Sequence, residues 1–438
     1  MKKIFNISAL IMMLSLAACA PSEVDDLFGE SPAVRMNDAI ATYEELFQKD
    51  GGKWLMQYFA SEEEEGHCFI MTFKGDGSVE ISTKNDYVNG GQFARDISLW
   101  GITSDYGPVL SFNTYNTVFH EFSSPQDDGT GHGGDYEFRI IKAEGDNVVL
   151  RGKKTNIEII MTHLDANTDD AAYFEQVDEA WSKFNDKLPY IIMTTGGGLR
   201  YLCQQHYDMY WYFYPETGNE IDNLEHMNAI ITANSLRFMN PLTFLDEYES
   251  GQVPVQNFEL QPDGTYLCVE DGVTRISAPP LAYVLMQFNT TRALPNDLMT
   301  GELPTLYDNV VAEAKANSSL RKPTIKGFEI TYYKTFGEAG SERYMYNLHF
   351  DSTRNPGNIR FYISKQSDNT VTFTFDENDA NAFDNNGKQY YNQLASMREF
   401  VAKLCNGEYT ITSDNLLYPS PMVITSSQNS ANTLTLTF

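Results

Sequence analysis

The chain has 438 residues, enough for two or three domains, and carries 60 acidic side chains against 31 lysines and arginines, a formal charge of −29. So acidic a surface argues against nucleic acid and anionic headgroups as partners, because basic patches hold both. Cations and neutral ligands are the classes that charge leaves open.

Lys2 and Lys3, the apolar run from Ala9 to Leu16, and Ala17-Ala18 ahead of Cys19 are the parts of a secretory signal. The run is too short to cross a bilayer, which takes about 20 residues, and no later stretch of the sequence is long and apolar enough. Cys19 directly after the cut resembles the lipobox of bacterial lipoproteins, which implies lipidation of its thiol and removal of residues 1–18. Each buried CH₂ of a lipid contributes ~0.8 kcal/mol and stable anchoring takes more than one chain. The three chains that lipoprotein processing supplies would hold Cys19 at a membrane permanently. Residues 19–30 then read as a solvated acidic tether, Ala20-Pro21-Ser22-Glu23-Val24-Asp25-Asp26 at its start. Acidic residues so close behind the cysteine are similar to the surface-export signal of Bacteroidetes lipoproteins. That implies the outer face of the outer membrane, with the periplasmic face as the second choice.

Ser31-Pro32 opens a helix as N-cap and first helical residue. Val34, Ile40, Tyr43, Leu46 and Phe47 follow at helical spacing until Asp50-Gly51-Gly52 stops it. Strand patterns begin at Trp54. Segments 69–73 and 78–83 flank Gly75-Asp76-Gly77, a hairpin signal, and 109–115, 136–142, 148–152 and 157–163 complete an N-terminal β unit over 31–165. A connector over 166–250 holds a helix at 169–187, with Ala172, Phe174, Val177, Ala180, Trp181 and Phe184 as its stripe. A strand at 190–195, Gly196-Gly197-Gly198 and an aromatic run at 207–214 come next. A C-terminal β unit over 251–438 has strands at 260–269, 328–333, 344–350, 358–364 and 371–375, a helix at 390–404, and strands at 408–412 and 434–438. The fold class is mainly β (α+β): two antiparallel barrel-like or sandwich units with a few packed amphipathic helices. Asp76-Gly77-Ser78 with Asp263-Gly264-Thr265, Phe112-Asn113-Thr114 with Phe288-Asn289-Thr290, and Asp146-Asn147 with Asp368-Asn369 suggest that the units are related.

Residues 107–116 (GPVLSFNTYN), 134–138 (GDYEF) and 150–154 (LRGKK), with the opening helix and Trp54, resemble a Bacteroidetes lipoprotein family catalogued as domain of unknown function 4302. The resemblance implies surface or periplasmic lipoproteins, often encoded beside outer-membrane nutrient receptors of the starch-utilisation type. It lends no catalytic residue.

Chemistry is harder to find. The seven histidines show no H-E-x-x-H, and neither G-x-S-x-G nor a phosphate-binding glycine fingerprint occurs. Cys203 and His206 are too few for a zinc site. Cys68, Cys203, Cys268 and Cys405 allow three pairings among which sequence cannot choose, and buried thiols are the favoured reading. The glycine-rich loop with Asp127, Asp128 and Asp135 is a weak calcium candidate, because the EF-hand order is absent and a flexible hairpin between Phe122 and Tyr136 is the favoured reading. Tyr210, Trp211, Tyr212 and Tyr214 are the best binding candidates: on a strand, the tyrosines face one way with hydroxyl handles suited to sugar rings. A strand buried on both faces is the competing reading.

The expectation is therefore a non-catalytic binding or accessory lipoprotein in nutrient capture beside an outer-membrane transporter, with no cofactor and no nucleic acid. Its partners would be the membrane through the lipid on Cys19, a receptor complex, and a glycan, peptide or small-molecule ligand. A hydrolase of surface polymers and a structural or adhesin-like protein are the alternatives.

Overall fold

The computed structural model describes residues 30–124, 131–184, 191–198, 200–205, 211–215, 225–242, 254–287, 292–336 and 343–437. The expected leader, Cys19 and the tether up to residue 29 lie outside them. Among the described residues, no helix is long and apolar enough to cross a membrane. By contacts the chain divides into two units, one of residues up to 56 with 69–168, the other of 57–68 with 169 onward.

Alternation of inward apolar and outward polar residues builds β1 (Lys53–Phe59), β2 (Gly66–Phe73), β3 (Ser78–Thr83), β4 (Ala94–Ser104), β5 (Pro108–Phe112), β6 (Glu137–Glu144), β7 (Asn147–Gly152) and β8 (Glu158–His163). Each pairs with the next, closing a barrel in simple order. Val79 and Ile81 on β3 are wholly buried, with Glu80 between them on the other face. Eight strands enclose a space that side chains can just fill, and here they fill it. Leu110, Phe112, Phe138, Val148, Leu150 and Met161 are all buried.

Both ends of this core are closed by aromatic rings. In α1 (Pro32–Gln48), the Ser31 hydroxyl accepts the Val34 N–H at 3.3 Å, and the helix ends on Phe47. The Phe47 ring centre is 5.6 Å from Trp54, 5.0 Å from Phe73 and 6.1 Å from Trp100. Gly52, at φ +67°, turns the chain into β1, and a Cβ there would stand 2.3 Å from the Phe73 carbonyl oxygen. Four residues earlier on β2, about 13 Å away at a strand's rise, Phe69 meets Phe119 and Phe122 at 5.1 and 5.4 Å. Those two rings come from the long loop between β5 and β6.

The second unit holds two more sheets and five helices among its described residues. After α2 (Asp170–Ser182), capped by Asp169 on the Ala172 N–H at 3.0 Å, come β9 (Ile191–Thr194), β10 (Arg200–Gln205), β11 (Trp211–Pro215), β12 (Glu225–Met227), β13 (Ala229–Ile231), β14 (Ser235–Leu242), β15 (Val255–Leu260), β16 (Tyr266–Cys268) and β17 (Arg275–Ser277). Their order is β12-β11-β10-β9-β17-β16-β15-β14-β13. The two outermost strands, β12 and β13, are separated only by Asn228, so the sheet curls until its edges are neighbours along the chain.

The last segment runs α3 (Leu281–Gln287), β18 (Arg292–Leu294), α4 (Leu303–Ala316), β19 (Ile325–Phe336), β20 (Arg343–Ser352), β21 (Gly357–Ser367), β22 (Thr370–Thr374), α5 (Asn385–Gln393), α6 (Ala395–Leu404), β23 (Gly407–Thr412), β24 (Met422–Ser426) and β25 (Thr433–Leu436). Strands β18 to β25 pair in chain order. Helix faces fill the sheet's inner side: Leu303, Leu306, Val310 and Ala314 from α4, and Met397, Phe400, Val401 and Leu404 from α6, join Phe328, Leu348 and Phe361 in one core. The mainly antiparallel β architecture with packed helices is as the sequence implies, its strands being shared among three sheets.

Several elements differ from the sequence pattern, among them β13, β14, β17, β18, β24 and α3, which it does not give, and three more show why. β4 escapes it because Ile97 and Leu99 are apolar yet exposed, while inward Ser98 is polar and buried. α4 is not among the expected elements: Pro304 stands in its first turn, but no side chain caps it. The single helix expected at 390–404 is two helices that break at Leu394, whose φ and ψ are −113° and 117°. A partner from α4 holds that break. The Glu313 carboxylate accepts the Ala395 N–H at 3.0 Å, the Ser396 N–H at 2.8 Å and the Ser396 hydroxyl at 2.5 Å, capping α6 from another helix. Burial alone would raise the Glu313 pKa, but the bonds from Ser396 and Ala395, with Arg398 nearby, bring it below the usual glutamate value.

Glu313→Ala should therefore lower stability by about 1–2 kcal/mol in urea unfolding at pH 7. Because the folded carboxyl is the more acidic, this contribution is present above the ordinary glutamate range and fades as pH falls through the lowered value. The wild-type and variant curves should converge in acid; a constant gap would refute the cap.

Candidate functional site

The 134–138 and 150–154 motifs, read separately in the sequence, form one clamp. Asp135 is 5% exposed. Its carboxylate accepts the Lys154 N–H at 2.6 Å, the Thr155 N–H at 2.8 Å and the Thr155 hydroxyl at 2.6 Å. A Cβ on Gly152 would meet Asp135 Oδ2 at 2.2 Å, so this position must be glycine for the carboxylate to enter. Lys153 donates its N–H to the Glu137 carbonyl at 3.0 Å. Its Nζ pairs with Glu137 at 3.1 Å and Asp105 at 2.9 Å. Lys154 Nζ donates to the Gly133 carbonyl at 2.8 Å. Of the calcium candidates, Asp135 thus serves the turn after β7, while Asp127 and Asp128 lie outside the described residues.

Next to this clamp the β5–β6 loop shows an aromatic stack to solvent. Tyr115 is 67% exposed and Tyr136 is 46% exposed. His120 lies between them, 5.4 Å from the Tyr115 ring at 37° and 5.5 Å from the Tyr136 ring at 33°. The stack is held from behind. Asn116 is fully buried, and its side-chain oxygen accepts the Val118 and Phe119 N–H groups, each at 3.0 Å. The Asp96 carboxylate accepts the Thr117 N–H at 2.9 Å and hydroxyl at 2.8 Å. That pair of bonds, the N–H first, holds the Asp96 carboxyl below the usual aspartate value against the opposing pull of burial. Val118, Phe119 and Phe122 point the other way into the barrel and are buried.

Burial favours the neutral form of His120. The Asn116 N–H donates to its Nδ1 at 3.0 Å, which leaves the proton on Nε2, facing the Phe112 carbonyl. Burial lowers its pKa and outweighs the two backbone bonds. A second ring pair joins this loop to the β3–β4 connection: Tyr87, 47% exposed, meets the His132 ring at 4.4 Å.

The aromatic run singled out in the sequence is only partly described. β11 pairs with β10 and β12 inside the nine-stranded sheet. The side chains of Trp211, Tyr212 and Tyr214, and all of Tyr210, lie outside the described residues, as does Cys19. Among the described residues, no three His, Cys, Asp or Glu side chains are placed to hold a metal ion. Cys68, Cys203, Cys268 and Cys405 are buried thiols. Burial raises the pKa of all four, to about 12 for Cys68 and for Cys268, the latter also bonded to Glu270, so none offers a thiolate nucleophile. Sequence reasoning quoted Tyr115 and Tyr136 inside family motifs without assigning them a surface role. An Asn-Thr step after a lone tyrosine is the turn signal that could have marked the first.

The His120 geometry has a pH consequence. Burial penalises the charged imidazolium, so the folded state resists protonation. The stabilisation is complete above the ordinary histidine pKa and is lost as pH falls from there through the lowered folded value. Thermal unfolding between pH 7 and pH 5 should show a loss that His120→Gln removes; an unchanged slope in that variant would refute the assignment.

The model of the family described as domain of unknown function DUF4302 matches residues 24–257. No curated protein matches the chain. Among solved structures, the DNA polymerase III β subunit from Thermotoga maritima aligns at 10% identity over 92% of this chain and 96% of that one, with a TM-score of 0.11. At that score the likeness carries no argument about fold or role. The family match covers more than half of the chain and includes the β5–β6 loop, both halves of the clamp and the whole barrel, and by it the protein belongs to the DUF4302 family.

Proposed function

We propose that the protein is a lipid-anchored lipoprotein of the cell envelope that binds a ligand without transforming it, in nutrient capture beside an outer-membrane transporter. The observation that carries the binding reading is the Tyr115–His120–Tyr136 stack. Exposed aromatic faces are ordinary singly, but here three rings are fixed by a buried asparagine and a clamped aspartate. Rigid rings lose little entropy when a flat ligand settles on them. The apolar face of a neutral sugar suits such a platform, and the tyrosine hydroxyls supply hydrogen bonds at its rim. Cys19 and its flanks support the anchor.

The carboxylates favour binding over hydrolysis. A glycosidase needs one carboxyl whose pKa is raised to act as general acid. Among the described residues, the displaced carboxyls, Asp96, Glu270, Asp271, Glu313 and Asp379 among them, are displaced downward.

Calorimetry of the full chain against neutral oligosaccharides should find a ligand whose affinity drops about tenfold in Tyr115→Ala and in Tyr136→Ala, the loss of one good ring contact. Silence across the panel, or affinities indifferent to both variants, would end the platform reading. In cells, Cys19→Ser should move the protein from the membrane to the soluble fraction; retention there would end the anchor reading.

A further inference from the structure

The outer face of β19, β20 and β21 carries a second ordered surface of different chemistry. On these strands Tyr346, Leu348, Phe361 and Ile363 point into the core, so Arg343, Asn347, Arg360 and Tyr362 point outward. The Arg343 guanidinium lies 3.8 Å over the Tyr362 ring, and that of Arg360 lies 4.0 Å over the Tyr333 ring. Lys334 Nζ is 5.2 Å from the Phe336 ring, which stands 6.2 Å from Tyr362.

This arrangement is held from beneath. Arg360 donates from Nε to Asn347 Oδ1 at 2.9 Å and from Nη1 to the Asn381 carbonyl at 3.0 Å. The Tyr362 hydroxyl donates to Asp379 at 2.9 Å, and Asp379 also takes the Asn381 N–H at 2.8 Å. A register shift between Tyr332 and Lys334 turns Tyr333 outward, 40% exposed, while Tyr332 stays against Tyr346. Bulges of this kind often re-aim a side chain beside a binding site. The Arg343 side chain is exposed, and its charge helps hold the Asp379 carboxyl below the usual aspartate value, after the Asn381 and Tyr362 bonds. Set over the Tyr362 ring, its guanidinium offers the N–H fork that receives a carboxylate through two bonds.

We propose that this face binds an acidic polysaccharide, its uronate carboxylates taken by Arg343 and Arg360 and its sugar faces set against Tyr333 and Phe336. Three cations stand here among carboxylates already engaged in part: Asp379 holds Tyr362 and Asn381, Asp384 holds Asn358, and Glu377 lies against Tyr391, while Glu329 shares the outward face one row from Arg360. The formal charge of −29 does not forbid this. At physiological ionic strength charges beyond about 8 Å are screened, so the local island decides. A peptide is the poorer occupant. Strand addition would use an edge, whereas the arginines stand on β20 and β21, each of which has partners on both sides, and their guanidiniums lie over the sheet's face. The surface is separate from the tyrosine stack, and the proposal does not depend on it.

Native affinity gels of the full chain, cast with polygalacturonate, should retard the protein, whereas gels with a neutral galactan should not retard it through this face. Arg343→Gln and Arg360→Gln should each weaken retention about tenfold, and Arg343→Lys should weaken it despite keeping the charge, because the fork is lost. Tyr115→Ala should leave it unchanged, and unaltered melting temperatures would show that the variants fold. Absence of retardation, retention indifferent to both arginine variants, or equal competition by polyglutamate of matched charge would overturn the proposal.

Discussion

A carboxylate buried among apolar strands is stable only when donors surround it, since an unmatched buried ion costs several kcal/mol. Asp135 meets that condition by accepting three bonds from the turn after β7, and only because Gly152 leaves room for it. The β5–β6 loop is thereby tied down at its far end. Tyr136, one residue on, must point the other way, and its carbonyl accepts the Phe112 N–H at 3.3 Å. At the near end, Asn116 does the same for the turn that carries Tyr115. Between these two anchors Phe119 and Phe122 complete the barrel core. The outward display of rings is thus a consequence of how the loop fills the interior.

What the sequence revealed was what local chemistry decides. Ser31-Pro32, Gly52 and Gly75-Asp76-Gly77 act within a few residues of themselves, and helix α1 and the β2–β3 hairpin stand where those signals put them. What it concealed depends on distant partners. The break between α5 and α6 is held by Glu313, 82 residues before Ala395. β4 conceals its period because its outer face carries Ile97 and Leu99. The clamp was legible as two motifs but not as one object, because nothing local says that Asp135 and Gly152 meet. Exposure of Tyr115 likewise depends on which way a loop turns, a matter settled by Phe119 finding the barrel.

The repeated landmarks have a local explanation. In Asp76-Gly77-Ser78 the aspartate accepts the Ser78 N–H at 2.9 Å, and in Asp263-Gly264-Thr265 it accepts the Thr265 N–H at 3.0 Å. Both are hairpin turns in which the aspartate fixes the chain two residues on and glycine takes positive φ. Asp263-Gly264 lies in the nine-stranded sheet, but Asp368-Asn369 joins β21 to β22 in the eight-stranded one. Two markers expected in one unit thus sit in different sheets, shared turn chemistry accounts for the Asp76 and Asp263 pair, and Phe288-Asn289-Thr290 lies outside the described residues. Edge protection is also achieved differently in each sheet. The barrel has no edge, the second sheet brings β12 beside β13 through Asn228, and the third lays Met299 against Leu434 where β18 approaches β25.

The acidic composition acquires a second meaning from these contacts. Asp96, Asp135, Glu313 and Asp379 each receive backbone N–H groups, closing a loop or capping a helix. Such carboxylates are committed to the fold and offer little to a passing cation. The net charge therefore overstates how negative the surface is in its dealings with ligands. Arginine and tyrosine face each other on β19 to β21, where Asp379 is such a carboxylate, taking the Asn381 N–H and the Tyr362 hydroxyl. An excess of acid averaged over the whole chain is thus compatible with a face that attracts anions, because screening limits each charge to its own neighbourhood. Composition excludes partners only as far as the charges that compose it remain available at the surface.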